Sequence, residues 1–441
     1  MSRRLTVLVT SALLLVAAPA CRGSGAPGPP STAVPYLQLD PASRSATDRD
    51  IASAQERLRK NLADDGARLE LANAFLQKAR EVADPTLYTR AETLLKTLAD
   101  RQAGDKRVLV ARAVLALAQH DFKEALVLAD QAVAAAPGDL SALGVQVDAF
   151  TELGRVEEAL AATQQMLDLK PNLASHTRAS YAQEQRGDLS GAAVSMQQAV
   201  IAGRGGPPEN LAFAQVQLGT LLLTSGALTE AEAAYQAALT TFPGYAPARA
   251  GQSRALVTRG RPEEAADLLA EVVAVQPLAE YAILLGDALA GAGRRDEATR
   301  AYERVEAIQA LYSANGVNVD LELALFAADH KPGKAALAKA KKGFASHPSL
   351  FGHDVVAWNQ YKVGNLDEAA EESAAALRIG SRDPTQRYHA AVIALARGDR
   401  AAATGHLQTV LDTNPRFSAA LAADVDRLSR DLGLVLPPPP A

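Results

Sequence analysis

The sequence predicts an all-α solenoid, a stack of about ten helical pairs, and three observations support this fold class. Alanine supplies much of a 48% hydrophobic content, while aromatic residues supply only 5%. Alanine is the best helix former, and its small side chain lets helices approach closely. An alanine recurs at spacings of 33 to 39 residues from Ala91 to Ala403, and glycines and prolines recur in phase with it. Stacked helices therefore fit this chain better than a mixed sheet.

The first 20 residues have the pattern of an export signal. Arg3 and Arg4 are followed by an apolar run of 14 residues, which ends at Ala18. This is the length of a signal-peptide core and is too short to span a bilayer comfortably. Small residues then precede Cys21. The arrangement resembles a bacterial lipoprotein signal, in which such a cysteine is lipidated and becomes the mature N-terminus.

Two products of this signal remain open. Lipoprotein signals usually carry Leu three residues before the cysteine, where this chain has Ala18. Residues 18–20 also fit an ordinary small-x-small cleavage site, which would leave a soluble protein. We favour lipidation because Cys21 is the only thiol of the chain. The single cysteine also excludes an intramolecular disulfide.

The pattern divides the chain into five parts. Residues 1–20 are the predicted signal peptide, and residues 21–47 are the lipidated cysteine and a Pro-, Gly- and Ser-rich tether. A second interpretation is open for residues 36–39 of the tether, which could pack on the array as a loop. The remaining parts are an N-terminal capping helix with Asp48 as its N-cap, the repeat array, and a C-terminal capping helix with a proline-rich tail, at 48–64, 65–417 and 418–441.

The clearest repeat unit runs from Leu218 to Pro243. Small residues such as Gly219 and Ala231 are expected where two antiparallel helices cross and leave no room for a side chain. Gly226 should end the first helix, and Pro243 prevents the second from continuing. The alanine of this unit recurs in ten units, as Ala91, Ala125, Ala159, Ala192, Ala231, Ala265, Ala298, Ala336, Ala369 and Ala403. A turn glycine lies five residues earlier in most of them, as Gly154, Gly187, Gly226, Gly260, Gly293, Gly364 and Gly398.

These spacings resemble the tetratricopeptide repeat (TPR) over roughly four-fifths of the chain. The resemblance implies a right-handed α-solenoid of about ten helix-turn-helix repeats with a capping helix at each end. It is specific for the fold and not for the function. Longer spacings indicate insertions at 203–208 and 309–316, with extra residues near 83–85, and we expect variation in loop length there.

No motif in the sequence indicates catalysis or metal binding. The seven histidines form no His-x-x-x-His pair, and no cysteine remains to complete a zinc site. We expect these histidines on the solvated surface. Residues 251–255 lack the second glycine of a nucleophile elbow, and Gly333 does not belong to a phosphate loop. The sequence therefore predicts no enzyme activity, no cofactor and no metal.

In a TPR superhelix the first helix of each unit lines a concave groove, so the register predicts partner-binding residues. An acidic centre with an aromatic end would suit an extended basic or apolar peptide. A second interpretation is open for Trp358, the only tryptophan, which could pack between helices beside the groove. The candidates are Asp148, Glu152, Tyr181, Glu184, Arg254 and Asp287 in the central units, and Phe351, Trp358, Tyr361 and Tyr388 in the ninth and tenth.

The net charge of −5, with no run or stripe of basic residues, gives nucleic-acid binding no electrostatic support. We expect a non-catalytic scaffold of the bacterial cell envelope that binds other proteins or extended peptides. It would be exported and anchored to a membrane by its N-terminal lipid, facing the periplasm or the cell surface. The alternative is a periplasmic carrier or chaperone for an exported polypeptide or polysaccharide, and an enzyme is a remote third.

Overall fold

A computed structural model of the chain describes Val34, residues 36–39 and residues 45–438. Within these ranges every regular element is an α-helix, and no strand occurs. The predicted signal peptide and Cys21 lie outside the described residues. The all-α class predicted from the sequence is confirmed for the part that is described.

Twenty-two helices follow one another along the described chain. They are α1 Ala46–Lys60, α2 Asp65–Val82, α3 Thr86–Arg101, α4 Lys106–Ala118, α5 Phe122–Ala135, α6 Leu140–Glu152, α7 Val156–Leu169, α8 Leu173–Gln185, α9 Leu189–Ala202, α10 Pro208–Thr224, α11 Leu228–Thr241, α12 Ala246–Thr258, α13 Pro262–Val275, α14 Ala279–Gly291, α15 Arg295–Ala314, α16 Asp320–His330, α17 Lys334–Ser346, α18 Leu350–Lys362, α19 Leu366–Ala376, α20 Pro384–Ala396, α21 Arg400–Asp412 and α22 Ala422–Leu432. Helices α2 to α21 form ten pairs, and α1 and α22 stand at the two ends of the described array. The predicted solenoid of about ten helical pairs is confirmed.

A residue in the left-handed conformation ends the first helix of most pairs. The seven glycines predicted at these turns all have positive φ, between 69° at Gly154 and 86° at Gly364. A side chain in this conformation costs about 1–2 kcal/mol, because its Cβ approaches the following carbonyl oxygen. The recurrence of glycine in the sequence follows from this backbone requirement.

Tyr235 shows why small residues recur where the helices cross. Its ring is fully buried between the inner helices α10 and α12. A Cβ atom at Gly219 would lie 2.6 Å from this ring, and one at Gly251 would lie closer still. Ala231 and Ala238 are also fully buried. One aromatic ring therefore fills the space that two glycines leave free.

The first helices of the pairs form the inner layer of the solenoid. Each pairs with its own second helix, but successive first helices also contact one another, as in α4 with α6, α10 with α12 and α16 with α18. Elements at the smaller radius of a curved stack lie closer together than those at the larger radius. The concave side is therefore lined by first helices, as the resemblance implied.

Helix α1 starts slightly earlier than predicted. It begins at Ala46, and the hydroxyl of Ser45 accepts the N–H of Asp48 at 3.0 Å as the N-cap. Asp48 was the predicted N-cap, but it lies inside the first turn. Its carboxylate is buried and forms an ion pair of 2.8 Å with Lys78 of α2.

The described part of the tether packs on α1 and on the first pair. The side-chain amide of Gln55 brackets the backbone of Leu37, accepting its N–H at 2.6 Å and donating to its carbonyl at 3.2 Å. Arg90 of α3 donates to the carbonyl of Tyr36. Val34 is buried against the same cluster. Residues 36–39 therefore form a packed loop, the second of the two interpretations that the sequence left open.

The superhelix makes more than one turn, and its second turn stacks on its first. Hydrogen bonds join residues between 156 and 229 positions apart, such as Tyr312 with Ala83 and Asn414 with Thr258. Loops of pairs seven to ten contact turns of pairs one to six. We call this contact the seam, formed by residues 312–319, 345–349, 378–383 and 413–419 against residues 83–89, 119–123, 152–155, 186–187, 226 and 258.

The insertion at 309–316 is mostly a helical extension and not a longer loop. Helix α15 runs for 20 residues and carries the chain across to the first pair. There the hydroxyl of Tyr312 donates to the carbonyl of Ala83 at 2.9 Å. The side chains of Asn315 and Thr89 are 3.1 Å apart. The extra residues thus make the first contacts of the seam.

His120 occupies the turn position of the second pair, where other pairs have glycine. Its φ of 58° places a side chain in the left-handed region. Nδ1 of His120 lies 2.7 Å from the carbonyl oxygen of Asn318, and the N–H of Asn318 donates to the carbonyl of Gln119 at 2.9 Å. These two bonds across the seam offset the strain, which is of the order of 1–2 kcal/mol.

Two turn glycines are required at the seam for a second, steric reason. A Cβ atom at Gly154 would overlap the carbonyl oxygen of Pro348, and one at Gly187 would overlap that of Gly380. At Gly260, which has a similar φ of 74°, an added Cβ would meet open space. The second turn of the superhelix therefore lies directly against the first.

Candidate partner-binding groove

The groove is open along the first five pairs. A cavity of about 700 Å³ lies there, bounded mainly by the inner helices α2, α4, α6, α8 and α10. Its apolar lining includes Leu117, Leu173 and Phe213, and Phe213 is 42% exposed. A cavity of this size lies within the range of protein binding sites.

The charged side chains of the open groove pair with one another. Nε and Nη2 of Arg178 donate to the carboxylate of Asp148 at 2.8 and 2.6 Å. Arg80 lies 3.5 Å from Glu209, which also accepts the hydroxyl of Tyr245 at 2.9 Å. The open groove therefore presents apolar surface between fixed and largely neutralised polar groups.

Two residues of the predicted acidic centre have partners within the protein. Burial raises the pKa of Asp148, against the lowering effect of the adjacent Arg178 guanidinium. Glu152 lies across the seam from His347, with 2.5 Å between its carboxylate and Nε2. The acidic centre is thus partly neutralised within the molecule, and it is weaker than the sequence suggested.

Tyr181 and Glu184 line a small cavity of about 110 Å³ together with Phe351 and Asp383. Tyr181 remains 45% exposed. Burial, aided by repulsion from Asp383, raises the pKa of Glu184 to about 7. The seam therefore brings together predicted residues of the fourth and ninth pairs, which lie far apart in the sequence.

The protein's own C-terminal residues cover the groove of the sixth and seventh pairs. We call residues 413–421 the C-terminal segment. The side chain of Asn414 donates to the hydroxyl of Thr258 at 3.2 Å, and Ser418 hydrogen-bonds to Asp287. Thr258 and Asp287 belong to the inner helices α12 and α14. The segment therefore packs against these two inner helices.

The two predicted groove residues of these pairs have partners inside the protein. Arg254 forms an ion pair with Glu280 of the next inner helix. Asp287 accepts the hydroxyl of Tyr302 at 2.7 Å, and burial raises the pKa of Asp287 to about 6. Both residues face inward as predicted, but intramolecular contacts already use their polar atoms.

Trp358 and Tyr388 are buried, with 3% and 4% of their surface exposed. Trp358 stacks between Tyr361 and His389, with ring centroids 4.9 and 4.1 Å away. Its Nε1 donates to Asp329 at 2.9 Å. The prediction of a partner-binding surface here is corrected, since side chains of neighbouring inner helices fill the groove. Trp358 packs between helices, which is the second of the two interpretations that the sequence left open.

Helix α22 completes this closed end. Val425 and Leu428 of α22 belong to the same buried cluster as Trp358. The hydroxyl of Tyr388 donates to Asp424 at 2.5 Å. Tyr361 is half-buried in the cluster and keeps some exposed surface. The predicted aromatic end of the groove is therefore an internal core.

Two histidines are buried, so the expectation that the histidines are solvated is wrong for them. His389 is 2% exposed and lies 3.0 Å from the carboxylate of Asp354. Burial opposes its charged form, but the attraction of Asp354 prevails and raises the pKa of His389. His347 is 8% exposed, and its ring centroid is 4.5 Å from that of Phe122 across the seam.

Phe213 was missed at the sequence level, although the register contains the signal for it. It stands eighteen residues before Ala231, as the predicted Phe351 stands eighteen residues before Ala369. The two phenylalanines thus occupy equivalent positions of different repeats. No comparable signal exists for the C-terminal segment, because its contacts depend on the path of the whole superhelix.

The described residues contain no group of three or more His, Cys, Asp or Glu side chains placed to hold a metal ion. None of the described helices is both long and apolar enough to cross a membrane.

Paired helices with an inner layer that forms a groove define a helical-repeat protein of the kind that binds other proteins. Models of the tetratricopeptide repeat match residues 110–174 and 222–287. The chain is a tetratricopeptide-repeat protein, and such repeats serve as protein–protein interaction scaffolds. The family predicted from the recurring alanines and glycines is confirmed.

Several solved structures are similar to the chain in fold. A thermophilic TPR protein of Thermus thermophilus is 23% identical, with 42% of this chain and 99% of that chain covered and a TM-score of 0.37. The type IV pilus biogenesis factor PilW is 18% identical, with coverages of 48% and 96% and a TM-score of 0.39. The APC/C hetero-tetramer Cut9–Hcn1 is 14% identical, with coverages of 85% and 92% and a TM-score of 0.38. No curated protein sequence matches the chain.

Proposed function

We propose that the protein is a non-catalytic scaffold of the bacterial cell envelope that binds a partner protein in its open groove. The observation that carries this proposal is the cavity of about 700 Å³ on the first five pairs. An exposed phenylalanine, Phe213, stands on its wall, and buried aromatic contacts dominate many protein interfaces. Because the groove charges pair with each other, the partner contributes an apolar segment.

Export and lipidation at Cys21 complete the proposal. They rest on the basic start, the apolar run and the small residues before the single cysteine. A lipid at Cys21 would hold the array at a membrane surface in the periplasm or on the cell surface. We propose no catalytic step, because TPR scaffolds act by binding.

Site-specific crosslinking in intact cells tests the groove. A photoreactive amino acid at Phe213 is expected to capture one defined partner protein. The same probe at Val275, which is 79% exposed on α13, serves as the matched control and is expected to capture none. Equal adducts at the two positions would contradict groove binding. A ladder of unrelated polypeptides at Phe213 alone would favour a carrier over a scaffold.

Fatty-acid labelling tests the anchor separately. A radioactive fatty acid should label the wild-type protein and not a Cys21→Ser variant, and only the wild type should remain in the membrane fraction. An unlabelled wild-type protein would refute lipidation while leaving the groove result untouched.

A further inference from the structure

Helix α17, the second helix of the eighth pair, carries a charge pattern unlike that of its neighbours. It contains four lysines and no carboxylate. Its stretch of chain, residues 331–353, holds five lysines and no acidic residue. We call the four lysines of the helix the lysine face; they are Lys334, Lys339, Lys341 and Lys342.

The four lysines lie on one side of the helix. At 3.6 residues per turn they span an arc of roughly 160°. The buried residues of α17 lie on the opposite side and include Leu337, Ala340 and Gly343. The lysines are spread along the sequence, so no basic stripe stood out there. Helical geometry brings them together.

Lys334 and Lys341 form no ion pair among the described residues, while Lys339 attracts the carboxylate of Glu306. Among the described residues, Lys342 is the only one of the four with an ion pair, 2.8 Å from Asp320, and its side chain stays 78% exposed. A second stretch without acidic residues, 233–262, differs in this respect. Its four arginines all have carboxylate partners; they are Arg249, Arg254, Arg259 and Arg261.

The lysine face is connected to the tether through a series of contacts. It contacts Asp320 at the start of α16, and the loop just before α16 reaches the first pair through Asn315 and Thr89. The next residue, Arg90, holds the backbone of Tyr36 in the described part of the tether. Three contacts and the short chain segments between them thus join the tether to α17.

The chain between Cys21 and the array is short. From Cys21 to Val34 there are 13 residue steps. They span at most about 45 Å when fully extended and roughly 20 Å as a flexible coil. A lipid at Cys21 would therefore keep this end of the array close to the bilayer surface.

We propose that the lysine face binds the anionic phospholipid surface of the membrane that holds the anchor. This inference rests on the proposed anchoring at Cys21. A basic patch attracts an anionic membrane surface, and this attraction adds to the attachment that the lipid provides. Each lysine near an anionic surface contributes roughly fivefold to binding. Contact at α17 would also fix the orientation of the array, so that the groove is held at a constant angle to the membrane.

Vesicle flotation of the full chain tests the proposal. Binding is measured to phosphatidylcholine vesicles and to vesicles that also contain phosphatidylglycerol, and the ratio of the two is the readout. The wild type should prefer the anionic vesicles, and high salt should remove this preference. In a Lys334→Gln/Lys341→Gln variant the ratio should fall roughly twentyfold. An Arg249→Gln/Arg261→Gln variant, with the same change in net charge, should stay within about twofold of the wild type.

Two results would overturn the proposal. Equal wild-type binding to both kinds of vesicle is one, and an equal loss in the two double variants is another, because it would reflect net charge alone. A Cys21→Ser variant, which carries no lipid, should still prefer anionic vesicles. The vesicle assay therefore tests the lysine face separately from the anchor. Melting curves confirm that the variants are folded.

Discussion

The first five pairs and the last five pairs are built from the same repeat, yet their concave sides differ. In the first half a cavity of about 700 Å³ is open, and Phe213 is 42% exposed on its wall. In the second half Trp358 and Tyr388 are buried, and the C-terminal segment covers the inner helices of the sixth and seventh pairs. The register of a repeat thus determines which side chains face inward. It does not determine whether the space they face is empty.

The largest expected effect is on the stability of the last five pairs, where the groove is filled. Trp358→Ala should lower the free energy of unfolding by about 3–5 kcal/mol, because it removes a fully packed aromatic side chain and leaves a cavity. Chemical denaturation measures the loss. Phe213→Ala in the open half should cost less than about 1 kcal/mol, since nearly half of that ring is already in water. Similar losses in both variants would refute the contrast between the two halves.

The seam between the two halves is tested by a pair of glycine substitutions. Gly154→Ala and Gly260→Ala both place a side chain at positive φ, at 69° and 74°, which costs about 1–2 kcal/mol. Only Gly154→Ala also drives a Cβ into the carbonyl of Pro348. Gly154→Ala should therefore lower the free energy of unfolding by about 1–3 kcal/mol more than Gly260→Ala does, and its melting temperature should be lower. Equal shifts would mean that the second turn does not rest on the first.

A smaller effect concerns binding and not stability. Phe213→Ala should weaken the affinity for the crosslinked partner by about tenfold, the size expected of one aromatic anchor. Surface plasmon resonance with the purified partner measures the change. Val275→Ala, at an exposed site of α13, should leave the affinity unchanged. An unchanged affinity in both variants would place the binding surface elsewhere.

The smallest effect depends on pH and concerns the small cavity at the seam that Glu184 lines. The pKa of Glu184 is raised to about 7 by burial, while an unperturbed glutamate titrates near 4.5. Between these values the folded chain holds a proton that the unfolded chain releases, so the stability falls as the pH rises through this window. Glu184→Gln removes this loss and should stabilise the protein by about 1–2 kcal/mol at pH 8, an amount discounted for partial exposure.

At pH 4 the same substitution should change the stability little, because the carboxyl is protonated in both states. Glu368→Gln, at an exposed site on α19, is the matched control for the general effect of this substitution. Thermal unfolding at both pH values gives the comparison. A constant effect of Glu184→Gln at pH 4 and pH 8 would contradict a raised pKa.

The sequence was sufficient for the fold, because its signals are local. Each turn glycine and each crossing alanine is required by the geometry of its own pair. Gly226 adopts a positive φ at the turn, and Ala231 is fully buried. The site was predicted only in part. Tyr181 and Glu184 line the small cavity at the seam. The burial of Trp358, however, depends on His389 of the next pair and on the path of the whole superhelix. Small rotations that accumulate over many repeats are not encoded in any one of them.

The seam also changes how this array should unfold. A solenoid whose repeats touch only their neighbours behaves as a one-dimensional chain and can fray from either end. Here hydrogen bonds join residues up to 229 positions apart, so pairs one to six are fastened to pairs seven to ten. Neither end can peel away without first separating the stacked turns. We therefore expect cooperative loss of structure and slow folding, which are properties more common in sheet proteins than in helical repeats.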